Sequence, residues 1–148
     1  TIRQKLKKVA IAGFPNVGKS TLLSKVNGSK PEIAAYAFTT KGIMIGYLDD
    51  VQLLDTPGTL NRFEKMNNIE QQAFLVMKMV ADKIIYVFDL TETYPIEDQI
   101  KLYERIQKFD KPVVVYLSKT DILEKEVYED FAKKFDAVVD IEELKGKI

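Results

Sequence analysis

The feature that most constrains the fold is the octapeptide at residues 13–20, G-F-P-N-V-G-K-S, which fits the pattern G-x-x-x-x-G-K-[ST]. It directly follows a short apolar run at residues 9–12 and precedes a helical pattern. Gly13 and Gly18 permit the backbone turns that aim successive N–H groups at an anion. A helix that begins near Lys19 adds its positive dipole end to the same place. The pattern therefore predicts a phosphate-binding loop between a strand and a helix.

The side chains of this loop suit phosphate and a hard cation. Lys19 can reach the β- and γ-phosphates of a nucleotide as a point charge, and the Ser20 hydroxyl offers an oxygen ligand to Mg²⁺. The alternative is a glycine turn that binds nothing, but average residue frequencies give this motif by chance in only about 0.5% of chains this long. We therefore predict that the nucleotide is bound by one continuous segment: Gly13, Phe14, Pro15, Asn16, Val17, Gly18, Lys19, Ser20 and Thr21.

A second motif, D-T-P-G, follows the apolar run at residues 51–54. A carboxylate at the carboxyl end of a strand in an α/β sheet points into the ligand crevice. We expect Asp55 to hold a water of the Mg²⁺ shell and the Gly58 N–H to touch the γ-phosphate. Alone, the tetrapeptide could be an ordinary β-turn, but it follows a phosphate-binding loop. It therefore predicts four further site residues: Asp55, Thr56, Pro57 and Gly58.

Short β-rich runs alternate with helical patterns along the chain, which is typical of an α/β fold. Residues 84–88 and 113–117 are continuously apolar, which predicts central strands covered on both faces. The pair Asp49-Asp50 predicts a tight turn and an antiparallel hairpin at one edge of the sheet. We expect residues 1–148 to form one domain with a three-layer fold and a mostly parallel sheet that has one antiparallel edge strand. The β-rich runs are residues 9–12, 43–47, 51–55, 83–89 and 112–117.

Between these runs, apolar residues repeat every three or four positions at residues 69–80 and 96–106. This period predicts two helices packed on the sheet. Residues 29–40 and 59–68 show no clear period, and we expect them to form mobile loops.

Composition removes several kinds of chemistry. The chain has no cysteine and no histidine, which excludes disulfides, zinc fingers and imidazole catalysis. Lys+Arg and Asp+Glu both number 22, so no overall positive field holds nucleic acid. No apolar run approaches the roughly 20 residues that span a bilayer, so we expect a cytoplasmic location without membrane insertion. Because the chain begins at Thr1, we expect it to be a fragment of a longer protein.

Three segments together resemble the Obg superfamily of translation-factor-class P-loop GTPases: residues 13–21, 55–58 and the segment Y-A-F-T-T-K-G at residues 36–42. Two more, N-I-E-Q-Q-A at residues 68–73 and D-L-T-E at residues 89–92, resemble the Nog branch, whose archaeal and nucleolar members are associated with large-subunit assembly. The resemblance implies a P-loop GTPase that cycles between GTP and GDP with Mg²⁺ in ribosome assembly or translation. It also implies a ribosomal subunit or rRNA as a partner through flanking segments.

The resemblance further implies roles for individual residues. Thr40 binds Mg²⁺ and contacts the γ-phosphate, beside Phe38 and Thr39, in a first switch at residues 29–40 that GTP orders. The implied catalytic groups are Lys19, Thr40 and Gly58, and the implied Mg²⁺ ligands are Ser20, Thr40 and Asp55.

Activation of the attacking water departs from the Ras type. Ras-type GTPases carry a Gln directly after D-x-x-G, whereas this chain has Thr59, so we expect a low intrinsic rate. In relatives that share Asn16 of the phosphate loop, this Asn can help to hold K⁺ against the phosphates; the alternative is that Asn16 only braces the loop. K⁺ is therefore one candidate for the missing transition-state charge, and a group supplied by a partner is the other.

The base end also departs from the family pattern. The family's N-K-x-D is here S-K-T-D, from Ser118 to Asp121. Asp121 can accept hydrogen bonds from N1 and N2 of guanine, which adenine does not offer, and Lys119 would lie along the base plane. The family's Asn braces this loop, so we expect Ser118 to lower affinity. Residues 142–146 read E-E-L-K-G where S-A-L-K-G is expected, and by the family pattern the chain stops before the last helix.

Four functions remain open from the sequence. The first is a GTP-hydrolysing switch, and the second is a scaffold that binds guanine nucleotide but hydrolyses it slowly or not at all. The third is the G domain of a membrane iron transporter, whose P-loop is similar but whose switch sequence does not resemble residues 36–40. The fourth is an adenine-specific relative, which Asp121 disfavours.

Overall fold

Apolar runs and amphipathic stripes form the elements that the sequence predicts. The computed structural model describes residues 7–14, 17–26, 32–34, 43–55, 78–91 and 94–148. The strands are β1 (Lys7–Ala12), β2 (Glu32–Ala34), β3 (Ile43–Leu48), β4 (Val51–Asp55), β5 (Lys83–Asp89) and β6 (Val113–Ser118). The helices are α1 (Lys19–Val26), α2 (Ile96–Gln107), α3 (Lys125–Phe135) and α4 (Ile141–Lys147), with a 3₁₀ turn at Thr120–Ile122.

The strands form one sheet in the order β2-β3-β4-β1-β5-β6. Neighbours among β4, β1, β5 and β6 run parallel, and β3 runs antiparallel to both β2 and β4. This confirms the mostly parallel α/β sheet and the hairpin, whose turn places Asp49 at a φ of 51°. The edge position belongs to β2, however, which lies inside the segment expected to be a loop.

The core is centred on β1 and β5. Residues 84–88 are each at most 1% exposed, which confirms β5 as a central strand. The expectation that β6 is also central is wrong, because β6 is the last strand of the sheet in the described part of the chain, where a single bridge lies beyond it, between Tyr116 and Val138. Val113 and Val114 are accordingly only partly buried.

The described helices pack through apolar stripes. In α2 the predicted apolar stripe packs against the core, and the buried residues of this helix are Gln99, Leu102 and Ile106, of which Gln99 is polar. A short α4, anchored by the buried Leu144, ends the described chain and was not expected from the sequence. The predicted helix at 69–80 lies outside the described residues except for its end.

The sheet positions the site because the parallel strands end at one edge. β1 lies between β4 and β5, so strands that follow β1 in the sequence lie on both sides of it in the sheet. Such a switch point is where α/β sheets bind ligands. The register places Asp55 beside Ile11 of β1, and Asp89 beside Ser118 of β6. Polar residues at the ends of β4, β5 and β6 therefore surround the loop that follows β1.

Candidate functional site

The loop after β1 depends on two glycines whose backbone conformations exclude most side chains. Gly13 has a φ of 152°, and an added Cβ would lie 3.0 Å from the Val87 carbonyl oxygen and 3.1 Å from Val17 Cγ2. Gly18 has a φ of 100°, and its added Cβ would lie 3.3 Å from Ser118 Cβ. Any larger residue would be strained at both positions. At Gly13 and Gly18 the backbone therefore packs directly on the ends of β5 and β6.

Lys19 begins α1 and is buried at the mouth of this loop, with 7% of its surface exposed. Its Nζ donates to the Phe14 carbonyl oxygen at 3.1 Å. Burial lowers the pKa of Lys19, and the carboxylate of Asp55 opposes that shift. An ammonium has three donors, and Phe14 is the one acceptor for them in the part of the chain that the structure describes. The remaining donors suit an anion.

Ser20 and Asp55 meet at the end of β4. Ser20 Oγ donates to Asp55 Oδ2 at 2.8 Å. Asp55 Oδ1 is buried and has no hydrogen-bond partner among the described residues. Burial raises the pKa of Asp55, while Lys19 and the Ser20 hydroxyl lower it. A hydroxyl, a carboxylate and an unsatisfied oxygen fit Mg²⁺, which takes few protein ligands and completes its shell with phosphate oxygens and water.

Ser118 ties the base-side loop to the phosphate loop. Its hydroxyl is buried and lies 2.6 Å from the Val17 carbonyl oxygen and 3.2 Å from the Phe88 carbonyl oxygen. The short side chain reaches both because Gly18 leaves room beside it. Ser118 thus braces this loop, as the Asn of the family pattern is expected to do.

Lys119 is held by a buried carboxylate at the end of β5. Its backbone is left-handed, with a φ of 60°, and its Nζ lies 2.8 Å from Asp89 Oδ2. Asp89 Oδ1 accepts from the Thr91 N–H at 2.8 Å and from the Thr91 hydroxyl. Burial alone raises the pKa of Asp89, but the hydrogen bonds from Lys119 and Thr91 outweigh it, so the pKa lies below its usual value.

Behind this pair, Gln99 of α2 fixes the backbone of Asp89. Gln99 Oε1 accepts from the Asp89 N–H at 2.9 Å, and Gln99 Nε2 donates to the Asp89 carbonyl oxygen at 2.9 Å. A polar residue is therefore buried in α2 because both of its amide atoms are satisfied.

Asp121 lies in the 3₁₀ turn after β6 and lines a cavity of about 230 Å³. Pockets that hold whole drug-sized ligands are typically about 300–1,000 Å³, so this one suits part of a ligand, such as a base. Its lining comes from α1, β6 and the turn: Gly18, Thr21, Leu22, Lys25, Tyr116, Ser118, Lys119, Asp121 and Ile122.

Residues 142–146 depart from the S-A-L-K-G of the family pattern. In the structure they lie within α4, whose N-cap Asp140 accepts from the Glu143 N–H at 3.3 Å. None of these residues belongs to the described lining of the base cavity.

The structure brings together the described part of the predicted site: Gly13, Phe14, Val17, Gly18, Lys19, Ser20, Thr21, Asp55, Ser118, Lys119 and Asp121. Other predicted residues lie outside the described part of the chain, so their roles stay predictions: Pro15, Asn16, Phe38, Thr39, Thr40, Thr56, Pro57 and Gly58.

Sequence reasoning gave no site role to Asp89, Lys25 or Ile122. Asp89 could have been found, because it follows an apolar strand just as Asp55 does. No such local signal marks Ile122 or Lys25. Ile122 is 68% exposed and follows Asp121, and Lys25 lies one turn along α1 from Thr21.

Comparisons with known proteins identify the family of the chain. The family model described as 50S ribosome-binding GTPase matches residues 8–119. An uncharacterized protein of Methanocaldococcus jannaschii is 46% identical over 125 residues, which cover 82% of this chain and 36% of that protein. Nucleolar GTP-binding protein 1 of Saccharomyces cerevisiae is 38% identical over 141 residues, which cover 88% of this chain and 22% of that protein. The chain thus spans only a minor part of the length of these relatives.

Among solved structures, the cytosolic domain of the T. maritima FeoB iron transporter in GDP form I gives a TM-score of 0.78 at 27% identity, covering 96% of this chain and 61% of that chain. Its GMPPNP form gives a TM-score of 0.77 at 27% identity, covering 96% and 62%. In the described residues, no helix has the length and apolar character needed to cross a membrane. Because the family model covers most of the chain, the chain belongs to the family of 50S ribosome-binding GTPases, and its similarity to nucleolar GTP-binding protein 1 is consistent with the Nog branch of the Obg-type GTPases.

Proposed function

We propose that residues 1–148 act as a G domain that binds GDP and GTP with Mg²⁺ and hydrolyses GTP as a conformational switch. The observation that carries this proposal is the cluster of Lys19, Ser20 and Asp55 at the carboxyl ends of β1 and β4. Lys19 is buried with one acceptor, and Asp55 Oδ1 is buried with none among the described residues. Buried charges are normally satisfied, so this cluster suits a phosphate and a hard cation.

At the phosphate end, Lys19 neutralises the β- and γ-phosphates, and Ser20 and Asp55 hold Mg²⁺ directly and through water. Mg²⁺, when bound, screens the charge that develops on the phosphate oxygens. The further roles follow from the resemblance and the motif: Thr40 as a Mg²⁺ ligand, the Gly58 N–H on the γ-phosphate, and Pro15, Asn16, Phe38, Thr39, Thr56 and Pro57 beside the nucleotide.

At the base end, Asp121 accepts the N1 and N2 hydrogens of guanine. Asp89 holds Lys119 in position beside the base, and the exposed Ile122 offers an apolar surface to it. Ser118 keeps this loop in register with the phosphate loop through Val17.

The rate of hydrolysis should be low without help, because Thr59 is too short to orient water as a Gln does. K⁺ held with Asn16, or a group from a partner, would supply the missing charge. We further propose a cytoplasmic switch in ribosome assembly or translation, with a ribosomal subunit or rRNA as partner through flanking segments. The similarity to nucleolar GTP-binding protein 1 supports this proposal.

A second candidate is the G domain of a membrane iron transporter, which the superposition on the FeoB cytosolic domain favours. The lower identity, 27% against 38% for nucleolar GTP-binding protein 1, favours the ribosomal role.

Calorimetric titration with GDP and ADP tests the proposal. We expect GDP to bind in the presence of Mg²⁺ and ADP to bind much more weakly. Asp121→Asn keeps the size of the side chain but offers an amide donor, so it should lose affinity for GDP and gain affinity for xanthosine diphosphate, which has a carbonyl at position 2. Equal affinity of the unchanged protein for GDP and ADP would overturn the assignment to guanine.

A further inference from the structure

The base cavity carries two opposite charges that do not pair with each other. Lys25 of α1 and Asp121 of the 3₁₀ turn both line it. Within the described ranges, neither side chain forms an ion pair or a side-chain hydrogen bond, although other surface lysines do, such as Lys133 with Glu129. An unpaired cation and an unpaired anion in one small cavity suit a ligand edge that has both an acceptor and donors.

Lys25 lies on the face of α1 that lines the cavity. Thr21 and Lys25 are four residues apart on α1, so they lie on the same helix face, and both line the cavity. Asp121 follows β6, the strand whose Tyr116 and Ser118 also line it. The two charges therefore approach from two different elements.

Guanine has the matching arrangement along one edge: the O6 acceptor lies next to the N1 and N2 donors. We propose that Lys25 is a specificity-determining residue that donates a hydrogen bond to O6 of guanine while Asp121 accepts from N1 and N2. Adenine carries an amino donor at position 6 and an acceptor at N1, so it mismatches both charges. This inference rests on the proposed function, because it assumes that the cavity holds the base.

Residues 142–146 do not belong to the described lining of the base cavity. They lie within α4, and the carboxylates of Glu142 and Glu143 in its first turn would repel a carbonyl oxygen. Lys25 is therefore a donor that the described lining of the cavity offers to O6.

The test compares GDP with 6-thioguanosine diphosphate, which replaces O6 by a weakly accepting sulfur and keeps the N1 and N2 donors. Affinities are measured by calorimetry for the unchanged protein, Lys25→Met and Lys25→Arg. Lys101→Met, an exposed lysine of α2 outside the base cavity, is the matched control. Asp121→Asn reports on the base site itself.

We expect Lys25→Met to weaken GDP binding about tenfold, as for the loss of one hydrogen bond from a charged donor in a partly open site. The unchanged protein should prefer GDP over the thio analogue, Lys25→Met should bind both equally, and Lys25→Arg should keep the preference. If Asp121→Asn weakens GDP binding but Lys25→Met retains the unchanged preference, the inference is overturned and the proposed function stands. If the unchanged protein does not bind GDP, both are overturned.

Discussion

Lys19→Met tests two effects of the Lys19 charge separately: the free-energy cost of burying it in the ligand-free protein and its contribution to nucleotide binding. Met has a similar length and no charge, so the fold should keep its packing. In the ligand-free protein the change removes one charged hydrogen bond, to the Phe14 carbonyl oxygen, which contributes about 1.5–3 kcal/mol, and the attraction between Lys19 and the Asp55 carboxylate. It also removes the cost of burying an ammonium, which is several kcal/mol.

When no nucleotide is bound, the burial cost that the change removes exceeds the interactions that it loses, so the variant should be the more stable protein. We expect Lys19→Met to raise the free energy of unfolding by about 1–2 kcal/mol, which for this chain length is an increase in Tm of about 3–6 °C. The direction agrees with the lowered pKa of Lys19, because burial disfavours its charged form.

GDP should reverse the order of stability of the unchanged protein and Lys19→Met. At a GDP concentration of about 1,000 times Kd, the unchanged protein gains about 4 kcal/mol. If Lys19→Met weakens binding about hundredfold, it gains only about 1.4 kcal/mol at the same concentration, so it becomes the less stable protein. Thermal unfolding with and without GDP and Mg²⁺ measures both orders, with Lys101→Met as a control for loss of an exposed lysine. A large loss of stability without nucleotide would refute the burial argument, and an equal gain from GDP would refute the phosphate role.

Three further changes test other parts of the site. Ser118→Ala removes the link to the Val17 carbonyl oxygen, so chemical unfolding should show a loss of about 1–3 kcal/mol and titration should show weaker GDP binding; unchanged values for both would contradict the brace. Asp89→Asn should lower the free energy of unfolding by about 1–2 kcal/mol at neutral pH. The pKa of Asp89 in the folded protein lies below its usual 3.8, so ionised Asp89 stabilises the fold above that pH, and this stabilisation is lost as the pH falls through the folded pKa. The difference in free energy of unfolding between the unchanged protein and Asp89→Asn should therefore become smaller in acid. A difference that does not change with pH would contradict the ion pair with Lys119. GTP turnover should be faster in KCl than in NaCl, and Asn16→Ala should abolish the difference; identical rates would exclude the potassium role and leave a group from a partner.

The parts of the fold and site that depend on local patterns could be predicted from the sequence. The continuous apolar run in β5 is fully buried as expected, because a strand with neighbours on both sides and covered faces has no polar positions. Asp55 could be placed because it follows such a run and parallel strands end at a common edge. The same argument extends to Ser118, but it says nothing about what the hydroxyl contacts.

Contacts with distant backbone atoms could not be predicted. The Ser118 hydroxyl lies against the carbonyl oxygens of Val17 and Phe88, which are 101 and 30 positions away in the sequence. Every residue carries such an oxygen, so the sequence does not indicate which ones the hydroxyl contacts. Strand β2 has only three residues and is defined by its pairing with β3 rather than by a pattern of its own. Gln99 interrupts the apolar stripe of α2 because the backbone of Asp89 satisfies its amide, which the helical period cannot show.

The most direct test of the central claim, that this domain hydrolyses GTP at the Lys19, Ser20 and Asp55 cluster, is single-turnover release of phosphate from GTP. The measurement uses excess protein in KCl, with Mg²⁺ or with EDTA, and compares the unchanged protein with Lys19→Met. We expect slow, complete conversion of GTP to GDP and phosphate that requires Mg²⁺ and is absent in the variant. Tight GTP binding with no phosphate release above the Lys19→Met background would contradict the claim and favour the nucleotide-dependent scaffold.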